Sequence, residues 1–239
     1  MFGRVADRMA RARTVVFVTG AGISQESGIP TFRGKDGLWR KHDAMKLATI
    51  GAFYEDPELV WEWYEERRRN ILAARPNEGH LAIAGLEKSR RVHVLTQNID
   101  GLHQRAGSTS VYELHGSIIR IRCTACGFKD TVTAGFSRLP PLCRCGKVLR
   151  PDVVWFGEQL PQDVWRAAIG HASSCDLMVV VGTSLAVSPA NLLPAYAKKN
   201  GATLVEVNPE ETPMSGMMDL SVRSSAAEAL PALAAAFSP

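Results

Sequence analysis

The chain of 239 residues is long enough for one large domain accompanied by a small satellite domain. Its hydrophobic fraction of 46% and charged fraction of 22% are typical of a globular protein and exclude a disordered or fibrous chain. The net charge of +4 comes from scattered Lys and Arg with one short run at 67–69, so charge gives no support for nucleic-acid binding.

The first twenty residues lack the charged-then-apolar order of a secretory signal, and no apolar run approaches the ~18 residues that span a bilayer. Four of the five Cys are clustered as metal ligands are, and Cys175 is left without a disulfide partner. We therefore expect a cytoplasmic protein that makes no contact with a membrane.

Five short runs rich in β-branched residues predict buried strands, each ending in a turn that contains Gly, Asn or Ser. They span residues 14–20, 91–101, 110–116, 176–184 and 202–208. Helical patterns occupy residues 57–75, 79–90, 161–174, 189–200 and 225–237. This alternation predicts an α/β fold, a Rossmann-like parallel sheet with helices on both faces. Two stretches interrupt it, a loop with a helix at 34–76 and a Cys-containing segment at 120–150.

The turn "TGAGIS" follows the first predicted strand and should open a helix, so its backbone N–H groups can hold a pyrophosphate. Gly20 and Gly22 match the first two positions of GxGxxG, but Gln25 occupies the third, and a tight turn without a ligand is the alternative. The later turns "TQNID" and "GTS" also close strands. Three such turns at one sheet edge favour a dinucleotide site.

Two close pairs of cysteines predict a tetrahedral zinc site: Cys123, Cys126, Cys143 and Cys145. Four protein ligands leave zinc no open position, so we expect a structural ion without a catalytic role. Four reduced, unliganded Cys and a DNA-reading zinc ribbon are the alternatives. The segment between the pairs is sparsely basic, which counts against DNA.

His115 is the only one of six His that lies at the end of a predicted strand, level with the other ligand turns. A structural role is the common one for a single His. Its position at the sheet edge where the predicted cofactor turns lie nevertheless favours a general base, because neutral imidazole accepts a proton near pH 7.

Six motifs occur in the order in which the sirtuins, the NAD-dependent protein-lysine deacylases, carry them: "GAGIS…ESGIPTFRG…GLW", "TQNIDGLH", "ELHGS", "CxxC…CxC", "RPDVVWFGE" and "GTSLAV". The chain resembles this family over about residues 14–210. The resemblance implies a Rossmann-like NAD-binding domain formed by 1–33, 77–119 and 151–239. It also implies a small domain, made of a helical module at 34–76 and a zinc-ribbon module at 120–150.

The resemblance further implies NAD as co-substrate, one structural Zn²⁺, and acylated lysine side chains of proteins as substrates, without direct nucleic-acid contact. The residues implied to bind NAD are Gly20, Ala21, Gly22, Ile23, Ser24, Phe32, Arg33, Gln97, Asn98, Ile99, Asp100, Gly182, Thr183, Ser184, Asn208, Pro209, Glu210 and Ala226. Val154, Trp155, Phe156 and Gly157 would pair with the substrate peptide as an added strand. His115 would act as base toward a ribose hydroxyl, and the products would be nicotinamide, O-acyl-ADP-ribose and free lysine.

The helix predicted at 57–75 has Asp56 as N-cap and Pro57 at its first position. A helical wheel places four charged residues on one solvated face: Glu62, Glu65, Glu66 and Arg69, with Glu65 and Arg69 spaced to pair. Tyr64 falls at the centre of the opposite, apolar face, and Arg67 and Arg68 lie at its edges. Tyr64 and Arg67 could thus offer a hydroxyl and a guanidinium to a buried carboxylate. A core-edge Tyr beside a solvated Arg is the alternative.

"YEER", with Tyr64 and Arg67, resembles the Tyr-x-x-Arg motif of class III sirtuins, and Thr31 stands where many sirtuins have Asp. The resemblance therefore implies a desuccinylase and demalonylase with secondary deacetylase activity. The alternatives are a sirtuin-fold ADP-ribosyltransferase, an NAD-sensing regulator or zinc-ribbon DNA-binding module, and a hydride-transferring dehydrogenase.

Overall fold

The computed structural model describes residues 2–31 and 44–236. Its helices are α1 (Phe2–Arg11), α2 (Ala44–Leu47), α3 (Ile50–Glu55), α4 (Pro57–Ala73), α5 (Glu78–Leu86), α6 (Leu102–Ala106), α7 (Gln162–Ser174), α8 (Leu193–Lys199) and α9 (Ala226–Ala235). Its strands are β1 (Thr14–Thr19), β2 (Arg91–Thr96), β3 (Val111–Glu113), β4 (Gly116–Cys123), β5 (Lys129–Thr131), β6 (Leu149–Val153), β7 (Leu177–Val181), β8 (Thr203–Val207) and β9 (Leu220–Val222). Short 3-10 helices occupy Ala21–Ser27, Ala190–Leu192 and Ser215–Met217.

A six-stranded parallel sheet in the order β3-β2-β1-β7-β8-β9 forms the centre of the fold. The inner strands are apolar on both faces because one core cluster, containing Phe17 and Val179, packs on one side, and another, containing Val18 and Val180, packs on the other. The predicted Rossmann-like sheet is thus confirmed. The strand order reverses between β1 and β7, which is where open α/β sheets leave a crevice for ligands.

A second, antiparallel sheet of three strands, β5-β4-β6, lies outside this layer. It shares a core cluster with α4, in which Trp61, Trp63 and Trp155 are the largest buried side chains. Its strands, and β9, were not predicted, because short and irregular pairings carry little periodicity in the sequence. The boundaries proposed for the two domains stay a prediction.

Several helices are shorter than their sequence patterns. The pattern at 79–90 ends as a helix at Leu86, and that at 189–200 divides into a 3-10 helix followed by α8. The turn after β1 opens a 3-10 helix rather than an α-helix. Among the described residues, no helix has the length and apolar character needed to cross a bilayer.

α4 begins as predicted, with the Asp56 carboxylate accepting a hydrogen bond from the Leu59 N–H at 2.9 Å and Pro57 in the first turn. The solvated face predicted for Glu65 was wrong. Glu65 is 9% exposed and pairs at 2.9 Å with Arg68 rather than with Arg69. The helical wheel fails here because it gives the direction of a side chain and not which neighbouring segment covers it.

Arg68 joins α4 to the small sheet. Its side chain is fully buried and donates to three backbone carbonyls: Ile118 at 2.7 Å, Val132 at 2.8 Å and Ala134 at 3.1 Å. Together with Glu65, these acceptors satisfy the guanidinium, which would otherwise be a costly buried charge. The position of α4, and of Tyr64 and Arg67 on it, therefore depends on this residue.

Arg68→Met should lower the free energy of unfolding by about 3–5 kcal/mol, because it leaves the Glu65 carboxylate buried without its partner. Urea denaturation followed by Trp fluorescence measures this loss. The matched control is Arg69→Met on the exposed side of the same helix, which should change stability by less than about 0.5 kcal/mol. Equal effects of the two substitutions would contradict the role of Arg68.

Candidate functional site

A cavity of about 1010 Å³ lies at the carboxyl ends of the central strands and reaches α4 and the segment that follows β6. It brings together most of the residues predicted to bind a cofactor: Gly20, Ala21, Gly22, Ser24, Gln97, Asn98, Ile99, Asp100, Gly182, Thr183, Ser184, Asn208, Pro209, Glu210 and Ala226. His115 and the residues predicted to bind substrate also line it: Tyr64, Arg67, Val154, Trp155, Phe156 and Gly157.

Three predicted cofactor residues are not placed at the cavity. Ile23 is fully buried, packs in the core beneath the first turn, and its carbonyl accepts a hydrogen bond from the Asn77 amide at 2.8 Å. Phe32 and Arg33 lie outside the described residues. The roles of all three stay predictions.

The turns after β1 and β7 meet backbone to backbone. The Gly22 N–H donates to the Gly182 carbonyl at 2.8 Å, and a Cβ built on Gly22 would lie 2.7 Å from the Gly182 Cα. Gly182 has φ +56°, and a Cβ there would lie 2.5 Å from the Ile23 nitrogen. No larger residue fits at either position, which explains why both turns of the dinucleotide-type pattern carry Gly.

A buried polar chain crosses the cavity floor beside the first turn. The Asn98 amide donates to the Gly20 carbonyl and to the Ser24 hydroxyl, both at 3.1 Å, and Ser24 donates to the Asp100 carboxylate at 2.7 Å. Burial raises the pKa of Asp100, although hydrogen bonds from the Leu102 N–H and Ser24 act in the opposite direction. These side chains hold one another in a fixed arrangement that suits the hydroxyls of a sugar.

The segment after β8, at the rim of the cavity, is held by a buried carboxylate that was not predicted from the sequence. Glu206, fully buried in β8, accepts hydrogen bonds from Thr212 at 2.6 Å, Ser215 at 2.7 Å and Arg223 at 2.6 Å. Arg223 also donates to the Glu210 carbonyl at 3.1 Å. This network folds the segment after β8 over the cavity rim. A single Glu inside the apolar run "ATLVEVN" was the available indication.

His115 is held in the tautomer that a general base requires. Its Nδ1 lies 3.0 Å from the Gln97 carbonyl, and because a carbonyl only accepts, Nδ1 carries the hydrogen and Nε2 keeps its lone pair. Burial lowers the pKa of His115, and the hydrogen bond to Gln97 offsets only part of that effect. The imidazole is therefore neutral at pH 7.

Two further His lie beneath the turns and were also missed. His103 Nε2 is 2.9 Å from the Thr19 hydroxyl, which donates to Thr96 at 2.8 Å, and the His80 ring packs against that of His103 with centroids 4.9 Å apart. Burial lowers the pKa of His80 to about 4 and that of His103 to about 3. Both are neutral supports for the ends of β1 and β2.

At the α4 end of the cavity, Tyr64 is 2% exposed and accepts a hydrogen bond from the Trp155 indole at 2.9 Å. The Arg67 guanidinium lies 4.5 Å from the Trp63 ring centroid and 5.5 Å from that of Tyr64. Burial raises the pKa of Tyr64, so its hydroxyl keeps its proton at neutral pH. Burial also lowers the pKa of Arg67, but a guanidinium stays charged under such conditions. A neutral donor and a cation thus share one wall.

The segment predicted to pair with a peptide already uses three of its N–H groups. Val154 donates to the His115 carbonyl, Trp155 to the Glu158 carboxylate and Phe156 to the Ala48 carbonyl, each at 2.9 Å. A peptide lying here would therefore pair with carbonyl groups of the segment or with the Gly157 N–H.

The four predicted zinc ligands converge in the small-sheet region. Their Sγ atoms all lie within 4.8 Å of one another, with Cys123–Cys145 at 3.5 Å and Cys126–Cys143 at 3.6 Å. Sulfurs bound at 2.3 Å in a tetrahedron around zinc are ~3.8 Å apart, whereas a disulfide would need ~2.05 Å. The donor set fits a structural zinc ion. None of the four is among the described residues that line the cavity.

Comparisons with known proteins agree with this geometry. The Sir2 family model matches residues 20–189. An NAD-dependent protein deacylase of Aeropyrum pernix is 55% identical over 222 residues, which cover 92% of this chain and 91% of that protein. A crystal structure of a Sir2 homolog–NAD complex superposes with a TM-score of 0.92 at 44% identity, covering 98% of this chain and 92% of the other.

A Sir2 structure with a p53 peptide and NAD⁺ superposes with a TM-score of 0.88 at 39% identity, covering 98% of this chain and 97% of the other. The matched family model spans well over half of the chain, and the similarity extends across both sheets. The chain belongs to the Sir2 family, the sirtuins.

Proposed function

We propose that this sirtuin, an NAD-dependent protein deacylase, prefers succinyl and malonyl groups on lysine and removes acetyl groups as a secondary activity. Membership of the Sir2 family, the deacylase from Aeropyrum pernix and the NAD-bound relative support the general activity. The observation that carries the acyl preference is the pairing of Tyr64 with Arg67 in the wall of the cavity that also holds His115.

The NAD site would run along the row of turns from Gly20 to Ala226. The close contact of Gly22 with Gly182 leaves the backbone of both turns at the cavity, where N–H groups suit a pyrophosphate. Asn98, Asp100 and Ser24 would hold the sugar beside nicotinamide, and Asn208 would hold the adenosine half, being itself fixed by a 3.1 Å bond to the Thr183 carbonyl. When bound, NAD supplies a carbon activated by an already cationic leaving group.

Neutral His115 would take a proton from a sugar hydroxyl at Nε2, because the Gln97 carbonyl occupies its Nδ1 hydrogen. Asn98, Ser24 and Asp100 on the cavity floor, fixed by their mutual hydrogen bonds, contribute by orienting poorly nucleophilic groups before reaction. One water is consumed in releasing the lysine, and the products are nicotinamide, free lysine and O-acyl-ADP-ribose.

The wall formed by Tyr64 and Arg67 would bind the free carboxylate of a succinyl or malonyl group. A charged carboxylate in an apolar tunnel is strongly unfavourable unless it meets a cation and hydrogen-bond donors. Both are present on this wall. The sirtuin-fold ADP-ribosyltransferase is not favoured, since the compared relative is named a deacylase. We also propose a cytoplasmic location, where the four Cys assigned to zinc and the single Cys175 stay reduced.

Cys143→Ser should remove zinc, because three thiolates with one serine hydroxyl bind zinc far more weakly than four thiolates. Elemental analysis should find about one zinc per chain in the wild-type protein and almost none in the variant, which should also be less stable. Cys175→Ser is the matched control, since the Cys175 thiol is buried elsewhere and donates to the Ala172 carbonyl. Zinc retained by Cys143→Ser would contradict the assignment.

His115→Ala should lower kcat/KM for acyl-peptides at least about a hundredfold, because the base is lost. Zinc content and the Kd for NAD serve as controls and should not change. Mass spectrometry of the peptide measures turnover, and a variant as active as the wild type would show that another group is the base.

The pH profile gives an independent check on His115. The active form is the neutral imidazole, so kcat/KM should fall as pH decreases through the pKa of His115. Burial lowers that pKa from its ordinary value of 6.5, which places the acid limb of the profile below pH 6.5. A limb above pH 6.5 would be inconsistent with a buried neutral base.

Arg67→Met and Tyr64→Phe should each lower kcat/KM for a succinyl-lysine peptide by about 10–100-fold, the value of a hydrogen bond to a charged group. The rate with the matched acetyl-lysine peptide should stay within about threefold, and Arg69→Met should affect neither substrate. If kcat/KM fell by the same factor with the succinyl and acetyl peptides, Tyr64 and Arg67 would serve packing and not carboxylate recognition.

A further inference from the structure

The Trp155 side chain makes a contact that strand pairing with a peptide does not require. Its indole Nε1–H donates to the Tyr64 hydroxyl at 2.9 Å, across the boundary between α4 and the segment after β6. Both side chains are only 2% exposed. A hydrogen bond that is shielded from water in this way is geometrically persistent.

The chemistry of the two groups determines which way the Tyr64 proton faces. An indole N–H and a guanidinium only donate, whereas a phenol oxygen accepts through two lone pairs and donates one hydrogen. Trp155 donates to this oxygen, and the Arg67 guanidinium, a second group that can only donate, lies 5.5 Å from the Tyr64 ring centroid. The indole N–H occupies one lone pair of the Tyr64 oxygen, and neither the indole N–H nor the Arg67 guanidinium can accept the Tyr64 hydrogen, so that hydrogen requires an acceptor from elsewhere.

The indole itself is held on two sides. The Arg150 guanidinium stacks 3.4 Å from the Trp155 ring centroid, and the Phe53 ring packs with its centroid 5.0 Å away. Arg150 is fixed in turn by two bonds to the Glu158 carboxylate, at 2.7 and 2.8 Å, and Glu158 also accepts the Trp155 backbone N–H at 2.9 Å. The direction of the indole N–H is therefore set before any ligand binds.

We propose that Trp155 is a positioning residue that keeps the Tyr64 hydroxyl turned outward as a hydrogen donor and so determines the preference for acyl groups that end in a carboxylate. This inference rests on the acyl preference given above as the proposed function. Its effect is selective: an acetyl group carries no terminal acceptor to meet that hydrogen, so its binding does not depend on the indole N–H.

The test removes the indole N–H in two ways. Trp155→Phe keeps an aromatic ring but leaves space, so the second variant carries β-(3-benzothienyl)alanine at position 155, which replaces the N–H by sulfur at nearly constant shape. In both, KM for a succinyl-lysine peptide should rise about 5–10-fold, as expected for one lost hydrogen bond. Because Trp155 also lies in the segment that would pair with the substrate peptide, the deciding quantity is the ratio of kcat/KM for the succinyl peptide to that for the matched acetyl peptide, which should fall about 5–10-fold in both variants.

A double-mutant cycle separates positioning from packing. In the Tyr64→Phe background there is no hydroxyl to orient, so the benzothienyl replacement should have no further effect on the succinyl KM. An additional increase of the same size in that background would overturn the proposal, as would parallel losses with acetyl and succinyl peptides.

The preference of the wild-type enzyme for succinyl over acetyl peptides separates a failure of the Trp155 proposal from a failure of the proposed acyl specificity. A wild-type enzyme that prefers succinyl over acetyl but is insensitive to both replacements would overturn the role of Trp155 alone. A wild-type enzyme without that preference would overturn the acyl specificity and, with it, the role of Trp155.

Discussion

The backbone contact between Gly22 and Gly182 is the constraint on which the rest of the site depends. It joins the ends of β1 and β7 where the strand order reverses, and no side chain fits between them. The sheet register extends this alignment, because Thr19 lies beside Thr96 and Val181, and Val181 lies beside Val207. The residues that follow these four strand ends, at positions 20, 97, 182 and 208, therefore form one row along the cavity. A dinucleotide laid along that row meets a ligand turn at each strand.

This alignment also explains how much could be predicted from the sequence. Parallel strands end level with one another, so the ligand turns recognised separately in the sequence could be expected at a single sheet edge. Residue spacing alone also assigned Tyr64 to the apolar face of its helix. Arg68 and Glu206 could not be foreseen in the same way. Arg68 is buried by the stretch at 132–134, which is distant in sequence, and Glu206 is buried because the loop after β8 folds back over it. Periodicity gives the direction of a side chain, but its partners come from tertiary packing.

The cavity joins two different electrostatic environments. On the sheet side, burial keeps His115 neutral beside a fixed set of amides and hydroxyls, as proton transfer requires. On the α4 side, a continuous series of contacts runs from Glu158 through Arg150 and Trp155 to the Tyr64 hydroxyl, next to the Arg67 guanidinium. That series presents donors and positive charge to a ligand. Under the proposed function, the first environment would provide chemistry common to any acyl-lysine, and the second would select among acyl groups by their charge.

Matched peptides bearing succinyl-lysine and its neutral amide analogue, succinamyl-lysine, test recognition of the carboxylate most directly, because the two groups are nearly equal in size and differ by one negative charge. With saturating NAD⁺, kcat/KM of the wild-type enzyme should be at least about tenfold higher for the succinyl peptide, as expected for a charge-assisted hydrogen bond. Equal values for the two peptides would show that the pocket recognises length alone and would contradict the proposed role of Tyr64 and Arg67.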